Sequence, residues 1–191
     1  MVVPLVRERV VGDRVRELRT ETGISLRKLA DQTNFSASFI SQVENGQASP
    51  SINSLERIAG ALGVTLGEFF TALRPGATTD LIVRAIDRPQ LTSAWSNAQI
   101  DALGSMGHDR RMEPVLMTLE PGGRSGKHPH PHVMEEFAFV LEGEVQLTLG
   151  EDVHLLRAGD SATIPPQRPR CWENAGGTAA RVLIVSARNA R

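Results

Sequence analysis

The 191-residue sequence is notable first for what it lacks. It holds a single cysteine, Cys171, so an intrachain disulfide is excluded and a reducing cytoplasm is the expected setting. Long hydrophobic runs are missing. The apolar stretch Val2–Val6 is broken by Pro4 and is too short for a signal peptide or a membrane span, and no other stretch approaches span length. An excess of either charge is missing too, with 21 Lys and Arg against 22 Asp and Glu. Divided near residue 75, the first part carries 9 Lys/Arg against 8 Asp/Glu and the remainder 12 against 14. Neither part has the basic balance of a general nucleic-acid binder, so any DNA contact has to come from locally placed charge. There is no internal repeat and no low-complexity tract. A cytoplasmic protein of one large or two small domains is expected, with no membrane partner.

What is present changes character near residue 75. Before it, apolar residues recur at helical spacing. Val11, Val15 and Leu18 form one stripe ended by Gly23, and Ser25 stands as an N-cap before Leu26, Leu29 and Ala30. Ser36 precedes Ile40 and Val43, with Gly46 as the C-terminal cap. Ser51 and Ser54 open a segment sharing Leu55, Ile58, Ala59 and Leu62, closed by Gly63, and Thr65 or Gly67 begins a last turn that buries Leu66, Phe69 and Phe70. Five short helices are expected within residues 1–75.

After Arg74-Pro75-Gly76 the period becomes two. Val115–Leu119, Phe137–Leu141, Val145–Leu149, Val153–Leu156, Ser161–Ile164 and Val182–Val185 read as short strands separated by Gly and Pro, the pattern of a barrel or sandwich over residues 112–191. Residues 76–111 are expected as a linker and an irregular arm, because Asp87–Arg111 shows weak periodicity. Trp95 lies in that arm, where it could serve an interface.

The segment Ser25–Gly46 reads as two helices joined by a tight turn, with small Ala30 at the crossing. Short polar residues alternate with apolar Phe39, Ile40 and Val43. Such side chains approach base edges and phosphates without steric penalty, and Gln pairs bidentately with adenine. The run Ser38-Phe-Ile-Ser-Gln-Val-Glu-Asn-Gly46, with Ser49-Pro50-Ser51 and Leu55-Glu-Arg-Ile-Ala-Gly-Ala-Leu-Gly-Val64, resembles the phage-repressor-like (XRE-type) helix-turn-helix family over about 60 residues. The resemblance implies a recognition helix at Ser36–Asn45 that enters the major groove of operator DNA. Ala37, Ser38, Ser41 and Gln42 would then face bases, while Ser25, Arg27 and Asn45 would contact phosphates. It also implies an Arg19–Glu44 salt bridge.

The second dense feature is Pro121-Gly-Gly-Arg-Ser-Gly-Lys-His-Pro-His-Pro-His-Val-Met-Glu-Glu-Phe-Ala-Phe-Val-Leu-Glu-Gly143. On a strand, alternate residues share a face, so His130 and His132, or His128 and His130, could bind one ion, with Glu136 on the same face. Two imidazoles and a carboxylate suit Zn, Fe, Mn or Ni. The segment resembles the cupin family, whose first motif is His-x-His, then Glu, then Gly seven residues later. Gly143 thus selects Glu136 over Glu135, and the metal set His130, His132 and Glu136. Gly159-Asp-Ser-Ala-Thr-Ile-Pro165 resembles the second cupin motif. That family's remaining His ligand falls at Arg170, and a guanidinium has no lone pair to offer a metal. Three outcomes are open: a three-ligand site helped by water or His128; Arg170 pointing inward to hold an anionic effector such as a carboxylate; or Arg170 paired with Glu136 in a metal-free barrel. His128 and His154 read otherwise as loop and strand positions, His108 has no site around it, and Cys171 and Trp172 read as buried packing.

Helix-turn-helix plus cupin (double-stranded β-helix) barrel resembles bacterial one-component regulators. The implied protein is a homodimer or higher oligomer that acts as a repressor, whose barrel binds a small metabolite and whose recognition helices read half-sites roughly 34 Å apart. The alternative is a metal-dependent cupin dioxygenase or isomerase with an accessory DNA-binding domain.

Overall fold

A computed structural model describes residues 8–72, 81–93, 95–104 and 110–187. The Val2–Val6 stretch, the Arg74-Pro75-Gly76 boundary and His108 lie outside the described residues. The chain forms an all-α part followed by an all-β part. No helix among the described residues is long and apolar enough to cross a membrane.

The helices are α1 Glu8–Glu21, α2 Leu26–Thr33, α3 Ala37–Glu44, α4 Ile52–Ala61 and α5 Leu66–Ala72. The starts of α2, α3 and α4 are set by serine side chains that accept from otherwise orphaned backbone N–H groups. Ser25 accepts from Lys28, Ser36 from Phe39 and Ser51 from Ser54, each with extended backbone at the cap. Val15, Leu29, Ile40, Val43, Leu55, Ile58, Phe69 and Phe70 form the core beneath them. Gly12 lets α1 lie on the end of α3, since a Cβ there would come within 2.2 Å of the Val43 carbonyl oxygen.

The β part is two facing antiparallel sheets. One has six strands in the order β1 (Gln90–Ser93), β2 (Ala98–Ala102), β3 (Met112–Leu119), β9 (Ala180–Ala187), β4 (Glu135–Glu142), β7 (Ser161–Ile164). The other has three, β6 (Asp152–Arg157), β5 (Glu144–Leu149), β8 (Arg170–Glu173). Alternation places Ala138, Val140, Val145, Leu147, Trp172, Val182 and Ile184 inside. The arm expected within residues 76–111 contributes β1 and β2 to the larger sheet, with Leu91 opposite Ile100 and Ala98 opposite Leu119. Four- and five-residue strands of small and polar residues carry too little periodicity to announce themselves; pairing with β3 makes them strands.

The two parts touch through α4 and the turn before α5. The Asn53 N–H donates to the Ser125 carbonyl at 2.9 Å, its side-chain amide donates to the His128 carbonyl at 3.2 Å, and the Thr65 hydroxyl donates to Glu113 at 2.8 Å. Gly126 permits the approach, because a Cβ there would meet the Asn53 side chain at 2.7 Å.

Candidate functional site

Two sites emerge, one on α3 and one where α4 meets the barrel. On α3, Ile40 and Val43 turn into the core, while Ser36, Ser38, Gln42 and Asn45 are exposed and Ala37 and Ser41 are half-buried. Ser25 and Arg27, at the start of α2, are also exposed. The residues expected to face DNA thus lie on the outer side of the helix-turn-helix unit. The far end of α3 is anchored by an ion pair: Arg19 donates through Nε and Nη2 to the two Glu44 oxygens at 2.6 and 3.0 Å. That hydrogen bonding holds the Arg19 pKa above its ordinary value, against a smaller opposing effect of burial. Arg16 adds a bond to Asn45 Oδ1 at 2.7 Å, and the Asn45 amide donates to the Ser41 carbonyl at 2.8 Å. Asn45 is therefore fixed in place before any phosphate arrives.

In the barrel, β8 delivers Arg170 and β4 delivers Glu136 into the interior, where the two are 3% and 2% exposed. Arg170 Nε donates to Glu136 Oε2, and its Nη2 donates to Glu136 Oε1 at 2.8 Å. The Ser186 hydroxyl supports the same Glu136 oxygen at 3.3 Å. The guanidinium's remaining edge points out of the barrel and meets Glu56 of α4, with Nη1–Oε2 at 3.3 Å and Nη2–Oε1 at 3.1 Å. One arginine thus bridges two carboxylates from different domains, and all four carboxylate oxygens accept from it. Burial would push the Glu56 carboxyl up, but the Arg170 cation, helped by the neighbouring His132 and His130, holds it below the ordinary carboxylate value. For Arg170, burial works against the charged form, and Glu56 and Glu136 together overcome it and raise its pKa.

The histidines separate. The strand carrying Glu136 begins only at Glu135, and Pro129 and Pro131 interrupt the chain before it, so strand alternation does not govern His130 and His132. His130 exchanges backbone hydrogen bonds with Arg170 at 2.9 and 3.0 Å, and its ring lines a cleft against α4. Burial, with Glu56 opposing, lowers its pKa to about 4. His132 Nδ1 lies 3.5 Å from Glu136 Oε1, buried and without a hydrogen bond. Among the described residues the group with ligand atoms within 4.8 Å of one another is Glu56, His132 and Glu136. Arg170 already uses both carboxylates there, and a divalent ion would stand beside a fixed positive charge. The set as arranged does not fit a metal ion. The interior beside Arg170 and Glu136 encloses about 30 Å³, room for a water or two.

His128 contributes its carbonyl to Asn53 and lines an interdomain cleft with Trp95. His154 is an exposed residue of β6, and Trp172 is fully buried. Cys171 is half-buried, its thiol donating to the Gly126 carbonyl at 3.1 Å. Glu56 is the residue that sequence reasoning missed. It sits beside an amphipathic stripe like any solvated helix glutamate, and only an unexplained buried cation 114 positions away could have called for it.

A capped helix-turn-helix unit joined to a double-sheeted barrel defines a class, and comparison with known proteins agrees. Residues 15–69 match the Helix-turn-helix family and residues 115–186 the Cupin domain family. The chain thus joins an XRE-type helix-turn-helix domain to a cupin domain and is homologous to HTH-type transcriptional regulators. It is 29% identical over 173 residues to the HTH-type transcriptional regulator PuuR of Escherichia coli (strain K12), covering 90% of this chain and 91% of that one. A helix-turn-helix family transcriptional regulator from Vibrio cholerae shares the fold with a TM-score of 0.76 at 23% identity, covering 97% of this chain and 98% of that one. The (S)-2-hydroxypropylphosphonic acid epoxidase of Streptomyces wedmorensis is 30% identical over 156 residues, covering 74% and 77%.

Proposed function

We propose that this chain is a sequence-specific, cytoplasmic transcriptional repressor that reads operator DNA with α3 and answers to a small metabolite through its barrel. The observation that carries the reading is the division of α3 into a buried apolar side and an outer row of Ser38, Ser41 and Gln42, held rigid by the Ser36 cap and the Arg19–Glu44 pair. Short polar groups on a fixed helix suit base-edge readout, and the exposed Arg27 at the start of α2 suits a phosphate. Assembly as a homodimer is supported by β6, an edge strand of the smaller sheet that leaves Val153 and Leu155 exposed. The test is DNA binding by two variants across a set of operator sequences. Gln42→Ala should lose about 1–3 kcal/mol at particular base positions, whereas Arg27→Ala should weaken binding uniformly and reduce the salt slope by about 1. Equal sequence profiles and equal salt slopes for the two would sink the assignment.

Similarity to the epoxidase is the ground for a second reading, a metal-dependent cupin enzyme, which requires Arg170 to release Glu56 and Glu136 before they and His132 can hold an ion. Stoichiometric iron or manganese in purified protein, with oxygen consumption, would establish it. Metal-free protein stabilised by a small acid would support the sensor.

A further inference from the structure

The interior of the barrel has almost no free space, yet it holds an arginine whose outward edge is presented to the other domain. The Arg170 guanidinium is buried, its inner edge is satisfied by Glu136, and its outer edge would be an unfilled carboxylate seat without Glu56. Parallel N–H groups of a guanidinium match the two oxygens of a carboxylate, so the seat is selective for that group. Glu56 reaches it from α4, the helix directly after α3 in the DNA-reading unit. Beside the seat, a cleft of about 530 Å³ runs between α4 and the barrel, within the range that holds small organic ligands. Its walls combine Ala61, Val64, Leu66, Pro131 and Val133 with His130 and His132, and among its described lining residues Glu56 is the one acid. The cleft therefore offers an apolar wall for a ligand's body, with Arg57 the cation on its lining, and the Arg170 fork stands behind Glu56, open to a ligand's head only once Glu56 leaves.

We propose that Glu56 is a built-in occupant of the barrel's carboxylate seat, and that an organic acid with an apolar body displaces it from Arg170 to signal to the DNA-binding domain. This inference rests on the sensor reading above and specifies its ligand class and its mechanism. A ligand in the seat breaks the ion pair that ties α4 to the barrel while leaving the Arg170–Glu136 pair intact. Its binding energy is thereby spent on changing how the recognition helices are held, which is the differential interaction that coupling between two sites requires. The same geometry explains why the interior needs no large cavity: only the carboxylate head enters it.

The experiment is calorimetric titration of the full chain with sodium benzoate, with benzamide as the uncharged isostere, at constant ionic strength set with sodium chloride. Removing the competitor should reveal the seat. Glu56→Ala is expected to bind benzoate about tenfold or more tightly than the unmodified chain, benzamide should bind neither, and adding Arg170→Met to Glu56→Ala should abolish the gain. Glu56→Gln keeps the shape of the side chain and should show a smaller gain in the same direction. It serves as the test if Glu56→Ala proves unstable. Equal benzoate affinity in unmodified, Glu56→Ala and Glu56→Gln chains, or a gain that survives loss of Arg170, would overturn the inference. Duplex DNA selected from a random pool separates the two readings. Failure of the unmodified chain to select any sequence defeats the regulator itself. Selective DNA binding without any benzoate gain defeats only the role given to Glu56.

Discussion

Each half of the molecule buries a glutamate against an arginine, and the two pairs do different work. Glu44 in the helical domain is met by Arg19 and Arg16, which keep side-chain exposures of 18% and 49%. All three residues belong to one small unit, and the pair fixes the end of α3 against α1. In the barrel, Arg170 is 3% exposed, and its partners Glu136 and Glu56 come from two domains. A partly exposed arginine retains water and can relax when its partner is lost. A fully buried one cannot, so its charge has to be met by a carboxylate held in place. The first pair therefore rigidifies a reading head, and the second joins the head to the barrel.

That contrast can be broken first at its stronger end. Arg170→Met leaves two carboxylates facing each other without a cation, and should cost about 3–5 kcal/mol in denaturant unfolding. It should also separate one cooperative transition into two as the domains uncouple. A loss below about 1 kcal/mol would show that Arg170 is not the junction. Glu44→Gln keeps the shape but removes the charge from its hydrogen bonds, and should cost about 2 kcal/mol, confined to the helical domain. Loss of barrel structure at the same denaturant concentration would contradict that confinement.

The pH dependence sharpens the comparison at His130. Its folded pKa of about 4 lies below the ordinary 6.5, so between those values the unfolded chain takes up a proton that the folded one refuses. Acidification through that window should therefore destabilise the protein, and stability should be regained as pH rises towards 6.5. His130→Gln should flatten the slope there, whereas the lowered Glu56 carboxyl acts below its own ordinary value of 4.5. An unchanged slope in thermal melts between pH 4 and 6.5 would show that His130 is not buried in its neutral form. The smallest effect is a coupling. Glu44→Gln and Glu56→Gln share no partner and should add to within about 0.5 kcal/mol in a double-mutant cycle.

How legible these features were depends on sequence distance. The serine caps at 25, 36 and 51 and the stripes behind them are interactions within four residues, and they could be placed from the sequence together with the outer row of α3. Strands β3, β4, β5, β6, β7 and β9 announced themselves by alternation. Strands β1, β2 and β8 did not, because residues such as Ser93, Ala98, Ala102 and Arg170 are buried only by their neighbours in the fold. The histidine motif was legible as a motif but not as a geometry: Pro131 and the bend that follows it turn His130 to the cleft and His132 to Glu136. The arginine at position 170 was visible as an anomaly, with anion binding and pairing with Glu136 among its open outcomes. The structure shows the pairing with Glu136, and it adds a second carboxylate of the protein itself, Glu56, on the guanidinium's other edge.

By itself, the sequence determined a helical DNA-reading unit and a cupin barrel, because caps, periodicity and motif spacing are local properties of the chain. Only the tertiary structure decided what Arg170 does. A buried charge has to be balanced by whatever the fold brings within hydrogen-bonding distance, and here that is a glutamate 114 positions earlier, on a helix of the other domain. The link between the helix-turn-helix unit and the barrel lies in that long-range pair, where no local pattern could show it.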